Sequence, residues 1–549
     1  MGGPLVVDSC GHACTCSGAS PREATGHLFL AGHPGAGKST LGPLLAEGLA
    51  RPFVDLDGLV AQREGLPASA LIRRDGERGF RVAEARALEG LSTREPLLVA
   101  LGGGTLEHVP SRAWVARSGA LLWLDVPTRI LKERVRHGDR PLLAAAGGIE
   151  SLVAARRETV ARQLRRLTPE VGAPEAQARA ILSRLGPGCK ALEFPSSETP
   201  HALFVGFGAL ERALQASGPR VALVTSAPLW RRFGPAVRGL LEDCGRQVEV
   251  FQLPDGERAK TWSVLRRLVD ALLGAGFGRH DTLVALGGGT VGDVAGFAAA
   301  LVGRGMPWIQ IPTTLLAMVD AAIGGKVAIN HARGRNLVGA FHQPLAVALE
   351  PWLLASLPER HWRSGLGEIV KTLWLAGGGW MSRLREAEGD PRRWSSQWLQ
   401  EVLWACAAYK ASVVARDPEE RHDLRIGLNL GHTVAHALEA AYGYKELTHG
   451  EAVAIGLRAA CRLSEAMEAG HPGLEDRLVA VLGHLGLPTL HKAEPADVLE
   501  AMASDKKAVS GKMRWVLPVR EGMFRVSAEV PQDLVARVVA DLAAAPSRR

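Results

Sequence analysis

Gly32 to Ser39 reads GHPGAGKS, between the apolar run HLFLA and a stretch, TLGPLLAEGLA, with apolar residues at helical spacing. A turn of the form G-x-x-x-x-G-K-[ST] between a buried strand and an amphipathic helix predicts an α/β domain with a parallel sheet. The composition follows from the chemistry. Glycines let backbone N–H groups converge on phosphate oxygens, a lysine adds charge at the β and γ phosphates, and a serine hydroxyl can ligate magnesium. Gly35, Gly37, Lys38, Ser39 and Thr40 are therefore candidate contacts to ATP with Mg2+, and Lys38 is also a candidate catalytic group.

One such domain cannot account for 549 residues, which exceed what a single hydrophobic core organises. Strands are predicted at 97–101 and 121–124, and a helix over 177–185; GPGCKALEFPSSETP, Gly186 to Pro200, then breaks the periodicity with Pro, Gly and Ser. A second α/β pattern restarts with strands at 221–224, 248–251 and 282–286, alternating with helices such as 261–273. From about Pro351 the chain reads as mostly helical, with 400–415 and 433–441 as examples. The expected plan is a disordered extension over 1–25, a P-loop domain over 26–186, a linker over 187–200, a Rossmann-like α/β domain over 201–350 and a helical domain over 351–549.

Composition excludes several classes. Hydrophobic content of 47% with 22% charged residues describes a globular protein, and no apolar run reaches the roughly eighteen residues of a membrane span. The N-terminus lacks a basic leader followed by an apolar stretch, which predicts a cytoplasmic chain. Seven scattered cysteines argue against a disulfide framework. Three of them lie in CGHACTC, Cys10 to Cys16, whose spacing fits no closed zinc site and is read as part of the extension. The net charge of +8 comes from dispersed arginines without aromatic interleaving, which suits small anionic substrates rather than nucleic acid.

Downstream of the P-loop, FVDLD (Phe53 to Asp57) places two carboxylates at a strand end, on one face if the residues alternate. Phe80–Arg81, the glycines of LGGGT and RPLL from Arg140 to Leu143 complete a set that resembles shikimate kinase over roughly Gly26 to Leu185. The resemblance implies that Asp57 binds the acceptor hydroxyl as base, that Asp55 joins Ser39 at magnesium, and that Arg81 and Arg156 clamp the substrate carboxylate. It implies close backbone approach to the substrate at Gly102, Gly103 and Gly104, and a mobile lid carrying Arg140 to the phosphates. Glu158 and Val160 stand where the family usually has a proline and an aromatic residue after the position of Arg156.

LVALGGGT, first seen at 98–105, recurs at 283–290 and continues as VGDVAG, which suits a pyrophosphate on a helix N-terminus. Around it stand PDGERAK (Pro254 to Lys260), IPTTLLAMVDAAIGGKVAIN (Ile311 to Asn330), GRNLVGAFHQP (Gly334 to Pro344), GLGEIVK (Gly365 to Lys371), LNLGHTVAHALE (Leu428 to Glu439) and LTHGEAVAIG (Leu447 to Gly456). On spacing alone, His432 and His436 lie on one helix face and form either a metal pair or a structural one. Together these motifs resemble 3-dehydroquinate synthase over nearly all of Ala202 to Val539.

That resemblance assigns Zn2+ (or Co2+) to Glu368, His432 and His449, and gives His436 to the substrate phosphate region. It implies NAD+ contacts from Asp255, Glu257, Lys260, Gly289, Asp293, Thr313, Thr314, Lys326 and Arg335, the last standing where lysine is usual. Lys326, Asn336, Lys506 and, from a neighbouring subunit, Arg304 would hold the phosphate; Lys506 and Lys507 are adjacent, and the sequence does not choose between them. Lys410, Arg425 and Asn429 would face the carboxylate, and Asp320 and Lys371 the ring hydroxyls. A homodimer through this half is implied as well.

No motif flanking the two LVALGGGT copies repeats, so the chain reads as a fusion and not a duplication. The expectation is a kinase followed by a synthase, both of the shikimate pathway, acting on small molecules without nucleic acid or membrane. Two rivals stand beside it: a different sugar-phosphate cyclase in the second half, and a noncatalytic ATP-binding module in the first.

Overall fold

The computed structural model describes residues 6–8, 22–23, 26–91, 95–135, 145–170, 172–186, 188–194, 201–421, 424–508 and 513–544. Cys10 to Cys16 and Arg140 lie outside them, as do the side chains of Lys506 and Lys507. The N-terminal stretch expected to be disordered contributes two short strands, β1 (Val6–Asp8) and β2 (Arg22–Glu23). Each finds backbone partners on the open edge of a sheet formed by distant residues.

The first sheet comprises β3 (His27–Gly32), β4 (Phe53–Asp55), β5 (Leu98–Ala100), β6 (Gly119–Leu124) and β7 (Arg166–Leu167), all parallel, in the order β4-β5-β3-β6-β7. Its central strand shows why the sequence there is continuously apolar. Leu28 and Leu30 enter one core, while Phe29 and Ala31 enter another on the opposite face, so period-two alternation divides one strand between two helix-covered layers.

The second sheet adds β8 (Lys190–Phe194), β9 (His201–Val205), β10 (Arg220–Ser226), β11 (Gln247–Leu253), β12 (Thr282–Gly287), β13 (Trp308–Pro312) and, after a hairpin of β14 (Lys326–His331) and β15 (Gly334–Phe341), β16 (Ala346–Leu349). Its order is β11-β10-β12-β13-β16-β9-β8-β2. The strands from β11 to β9 are parallel, whereas β8 runs antiparallel to β9. The expected linker over 187–200 is thus corrected in part: KALEF is a strand of this sheet, because its backbone groups pair with β9 in register from Lys190↔Val205 to Phe194↔His201. Val284 and Leu286 face one core and Leu283 and Ala285 the other, repeating the division seen in β3.

Beyond β16 the chain is mostly helical, with β17 (Trp515–Arg520) and β18 (Met523–Ser527) paired with each other, β18 also with β1, ahead of a last helix Gln532–Asp541. Glycines set the helix spacing. A Cβ on Gly367, in the helix Glu359–Ala376, would lie 2.0 Å from the Gly450 carbonyl oxygen, and one on Gly456 would lie 2.0 Å from that of Gly431. The helices Glu359–Ala376, His432–Ala441 and His449–Ala466 therefore meet almost backbone to backbone. None of the described helices is long and apolar enough to cross a membrane.

Candidate active sites

In the first half, the C-terminal ends of β3, β4 and β5 open on a cavity of about 600 Å³ lined by Gly35, Lys38, Asp57, Arg81, Gly104 and Arg156 among others. Gly35 and Gly37 have φ of 83° and 94°, a left-handed backbone that side chains with a Cβ disfavour. The Lys38 ammonium donates to the Gly32 carbonyl at 2.8 Å and the His33 carbonyl at 3.3 Å, which points it along the loop. Thr40 lies in the first turn of the helix Lys38–Gly48, at the rim of the cavity. Ser39 Oγ donates to Asp55 Oδ2 at 2.7 Å, so the two residues expected at magnesium are in contact.

Asp57 reaches the cavity by a route other than the predicted one. β4 ends at Asp55, whose Oδ1 accepts the Asp57 and Gly58 N–H groups at 3.1 and 3.4 Å and caps the helix Leu56–Glu64. Strand alternation is thus replaced by a helix N-cap, because the first-turn amides need an acceptor. Burial, then the Glu84 and Asp55 carboxylates, push the Asp57 pKa up to about 6.

Arg81 is buried and donates to Glu84 Oε2 at 2.6 Å and to Glu77 Oε1 at 3.0 Å, and Thr105 Oγ1 donates to Glu84 Oε1 at 2.6 Å. Arg156, also buried, donates to the Gly103 carbonyl. The glycine triplet passes between these groups. A Cβ on Gly104 would lie 2.2 Å from Arg81 Nη2 and 2.7 Å from Arg156 Nη2, and one on Gly102 would lie 2.3 Å from Glu84 Oε1. Sequence reasoning missed Glu84, although its spacing of three from Arg81 on one helix face was a usable signal.

In the second half, Glu368 is fully buried in its helix, His432 opens the helix His432–Ala441, and His449 opens the helix His449–Ala466. That last start is fixed by a capping box: Glu451 Oε2 accepts the Thr448 N–H at 2.9 Å while Thr448 Oγ1 accepts the Glu451 N–H at 3.4 Å. Glu368 Oε1 lies 3.2 Å from His449 Nε2 and 3.5 Å from His432 Nε2, and one donor atom from each residue falls within 4.8 Å of the others. None of the approaches to either Glu368 oxygen is aligned as a hydrogen bond. A buried carboxylate that turns Oε1 to two imidazoles fits a divalent ion with three protein ligands and an open position. Burial, then Lys371, hold the His432 pKa well down, favouring the neutral imidazole that ligates metal.

Lys371 Nζ stands 2.5 Å from Glu368 Oε2, and Lys410 Nζ donates to Asp320 Oδ1 at 2.6 Å. The two pairs feel each other's charge, Glu368 and Lys371 both acting on Asp320. His436 is exposed, with its ring 5.3 Å from that of His432. His449 Nδ1 lies 3.1 Å from Glu439 Oε2, and Glu439 is in turn 3.6 Å from Arg335, whose guanidinium covers the Tyr444 ring at 3.8 Å. Glu439 was not foreseen; its place beside a histidine ten residues away depends on the helix pairing.

At the C-terminal ends of β12 and β13, Gly289 opens the helix Gly289–Leu301, and Thr313 and Thr314 follow β13. Lys260 donates to Asp293 Oδ2 at 2.6 Å and to Asn336 Oδ1. Glu257 accepts from Asn330 at 2.6 Å, and Asp255 immediately precedes the short helix that carries it. Lys326 is paired with Glu420 at 2.6 Å, and Arg425 is buried, donating to the Pro418 carbonyl at 2.9 Å. Asn429 is exposed, as is Arg304 at φ 64°; neither shares in these contacts.

A fold and two sites of this kind define a P-loop kinase joined to a nucleotide-binding, metal-assisted synthase. Residues 34–185 match the family model of shikimate kinase, residues 250–364 that of the 3-dehydroquinate synthase N-terminal domain, and residues 365–508 that of its C-terminal domain. A 3-dehydroquinate synthase from Synechococcus sp. is 40% identical over 338 residues, covering 61% of this chain and 92% of the relative. The chain belongs to the 3-dehydroquinate synthase family, and it carries a shikimate kinase domain in front.

Among solved structures, a 2-epi-5-epi-valiolone synthase from Streptomyces hygroscopicus subsp. jinggangensis 5008, with NAD+ and Zn2+ bound, is 26% identical at a TM-score of 0.56, covering 63% of this chain and 97% of its own. A 2-deoxy-scyllo-inosose synthase complexed with carbaglucose-6-phosphate, NAD+ and Co2+ shares the fold at 23% identity and a TM-score of 0.59, covering 64% of this chain and 99% of that one.

Proposed function

We propose that this chain is a bifunctional enzyme of the shikimate pathway. Its first half phosphorylates shikimate with Mg-ATP, and its second converts 3-deoxy-arabino-heptulosonate 7-phosphate to 3-dehydroquinate and phosphate. The kinase reading is carried by Asp57, held between the P-loop and the Arg81–Arg156 pair at one cavity. A carboxylate on the cavity wall with a pKa of about 6 is ionised at neutral pH and basic enough to take a hydroxyl proton, while two guanidinium groups orient an anionic acceptor. Ser39 and Asp55 would hold Mg2+, and Lys38 and Arg140 would stabilise charge on the transferred phosphoryl group.

The synthase reading is carried by the Glu368, His432 and His449 trio beside Lys371. These three would hold the divalent ion seen in the structural relatives, and the residues lining the β12–β13 crevice would hold NAD+. When bound, the ion polarises substrate oxygens and NAD+ accepts and returns a hydride. Lys371 and Asp320 position ring hydroxyls, Lys410, Arg425 and Asn429 bind the carboxylate, and Lys326, Asn336, His436 and Lys506 bind the phosphate. Arg304, exposed on its turn, suits a homodimer in which it completes the phosphate site of the other subunit.

The boundaries proposed are 26–186 for the kinase, 190–350 for the NAD domain, which takes in β8, and 351–549 for the helical domain. Reduced cysteines at 189, 244, 406 and 461 support a cytoplasmic location. The valiolone synthase relative keeps a second cyclase reading in play, and the buried Arg425, which suits a carboxylated substrate, favours the first. The test is one preparation assayed for both reactions: turnover of shikimate and of the heptulosonate is expected, and turnover of only a noncarboxylated sugar phosphate rejects the synthase assignment.

A further inference from the structure

The two halves meet along a face on which the cations come from the kinase and the acids from the synthase. Arg112 Nε lies 2.7 Å from Asp243 Oδ1, and Arg162 lies 3.5 Å from Glu242 and 3.9 Å from Asp243. Arg165 donates to both Glu211 oxygens at 2.5 and 2.7 Å and to Glu350 Oε2 at 2.6 Å. Arg165 is 1% exposed, Glu350 0% and Glu211 7%, so this cluster is sealed from solvent. Burial disfavours the Arg165 charge, but the two carboxylates overcome it and raise its pKa. Glu350 also accepts the Gly208 N–H at 3.0 Å. The apolar contacts are reciprocal: Leu164 packs against the synthase core, and Phe207 and Trp352 pack against a kinase core.

Arg162 and Arg165 follow the short helix Arg157–Ala161, and Arg156 immediately precedes it. One end of this segment thus enters the kinase cavity, while at the other end the side-chain ion pairs of Arg162 and Arg165 are all made with the synthase half. The helix Arg157–Ala161 rises only about 7 Å, with Arg156 at its start and Arg162 at its C-terminal cap, so a shift imposed at Arg162, and at Arg165 three residues on, displaces the segment whose other end is Arg156.

We propose that the synthase half is the positioning platform of the kinase's carboxylate clamp: its acids hold Arg162 and Arg165, and through the intervening helix fix Arg156 against Gly103 and the incoming acceptor. The inference rests on reading Arg156 as a contact to the shikimate carboxylate. Arg165 is on this account a positioning residue, and its effect falls on acceptor binding, where a misplacement of about 1 Å can cost on the order of 100-fold.

The test uses the full chain carrying R165M, E211Q and E350Q together, which removes all three buried charges and leaves none unpaired. The expected result is a 5- to 50-fold rise in the KM for shikimate (roughly, the range below a full 1 Å misplacement), with the KM for ATP and the synthase kcat/KM both within about twofold of the parent. In an Arg156→Lys background the same three substitutions are expected to add nothing. An unmoved shikimate KM, an equal rise for both kinase substrates, or full additivity with Arg156→Lys overturns the proposal. Should the triple variant not fold, Asp243→Asn, which loosens only the Arg162 end and Arg112, is expected to give the same pattern at smaller size, and an unmoved shikimate KM there counts equally against it. A parent chain that fails to phosphorylate shikimate removes the kinase reading and this inference with it, whereas an active parent with unmoved KM values overturns the inference alone.

Discussion

LVALGGGT at 98–105 and at 283–290 begins identically, as a buried strand, and ends differently. After β5 the triplet turns into the 3-10 segment Thr105–Glu107, with Gly104 wedged between two arginines. After β12 it opens the thirteen-residue helix Gly289–Leu301, and a Cβ on Gly289 would meet nothing nearer than Ala321 at 3.4 Å. Local composition therefore decides that a strand hands over to a flexible turn; what the turn serves is decided by side chains from elsewhere, a polar clamp in one copy and a bare helix N-terminus in the other.

The comparison breaks most readily at the chemistry. Asp57→Asn is expected to lower shikimate phosphorylation by about 10²- to 10⁴-fold with cyclisation unchanged in the same sample, and parallel loss of both would show that the sites are not independent. His449→Ala is expected to release the metal ion and abolish cyclisation while kinase turnover persists; full metal occupancy by elemental analysis would reject the ligand set.

The glycines sharpen the contrast. Gly102→Ala, whose Cβ would fall 2.3 Å from a buried carboxylate oxygen, is expected to destabilise the kinase half by about 1–3 kcal/mol in denaturant titration. Gly289→Ala has room for its methyl group, so its expected cost to stability is below about 1 kcal/mol, and its effect should surface as weaker NAD+ binding by calorimetry. The smallest change is Arg335→Lys, which keeps the charge near Glu439 but loses the planar stack on Tyr444. A loss of about 0.5–1 kcal/mol in NAD+ affinity is expected, and an unchanged Kd would place Arg335 outside the cofactor site.

The strands were legible because their signal is local: apolar runs at 221–224 and 282–286 lie within β10 and β12, since each strand must fill a core on both faces. The helix read at 433–441 differs from the observed one by a single residue. Pairings made across the chain were not legible. KALEF looks like part of a polar connection until β9 supplies its partner, and Asp55 looks like half of an alternating pair until helix amides claim it. Glu439 and Glu350 gain their meaning from residues 10 and 185 positions away, a separation no periodicity encodes.

Because a single guanidinium is shared by acids 46 and 185 positions further along, the junction ties three codons to one another. Loss of the arginine strands two buried carboxylates at once, so a replacement there should arrive together with changes at both acids, and exchanging either half for a homologue requires that the matching trio travel with it.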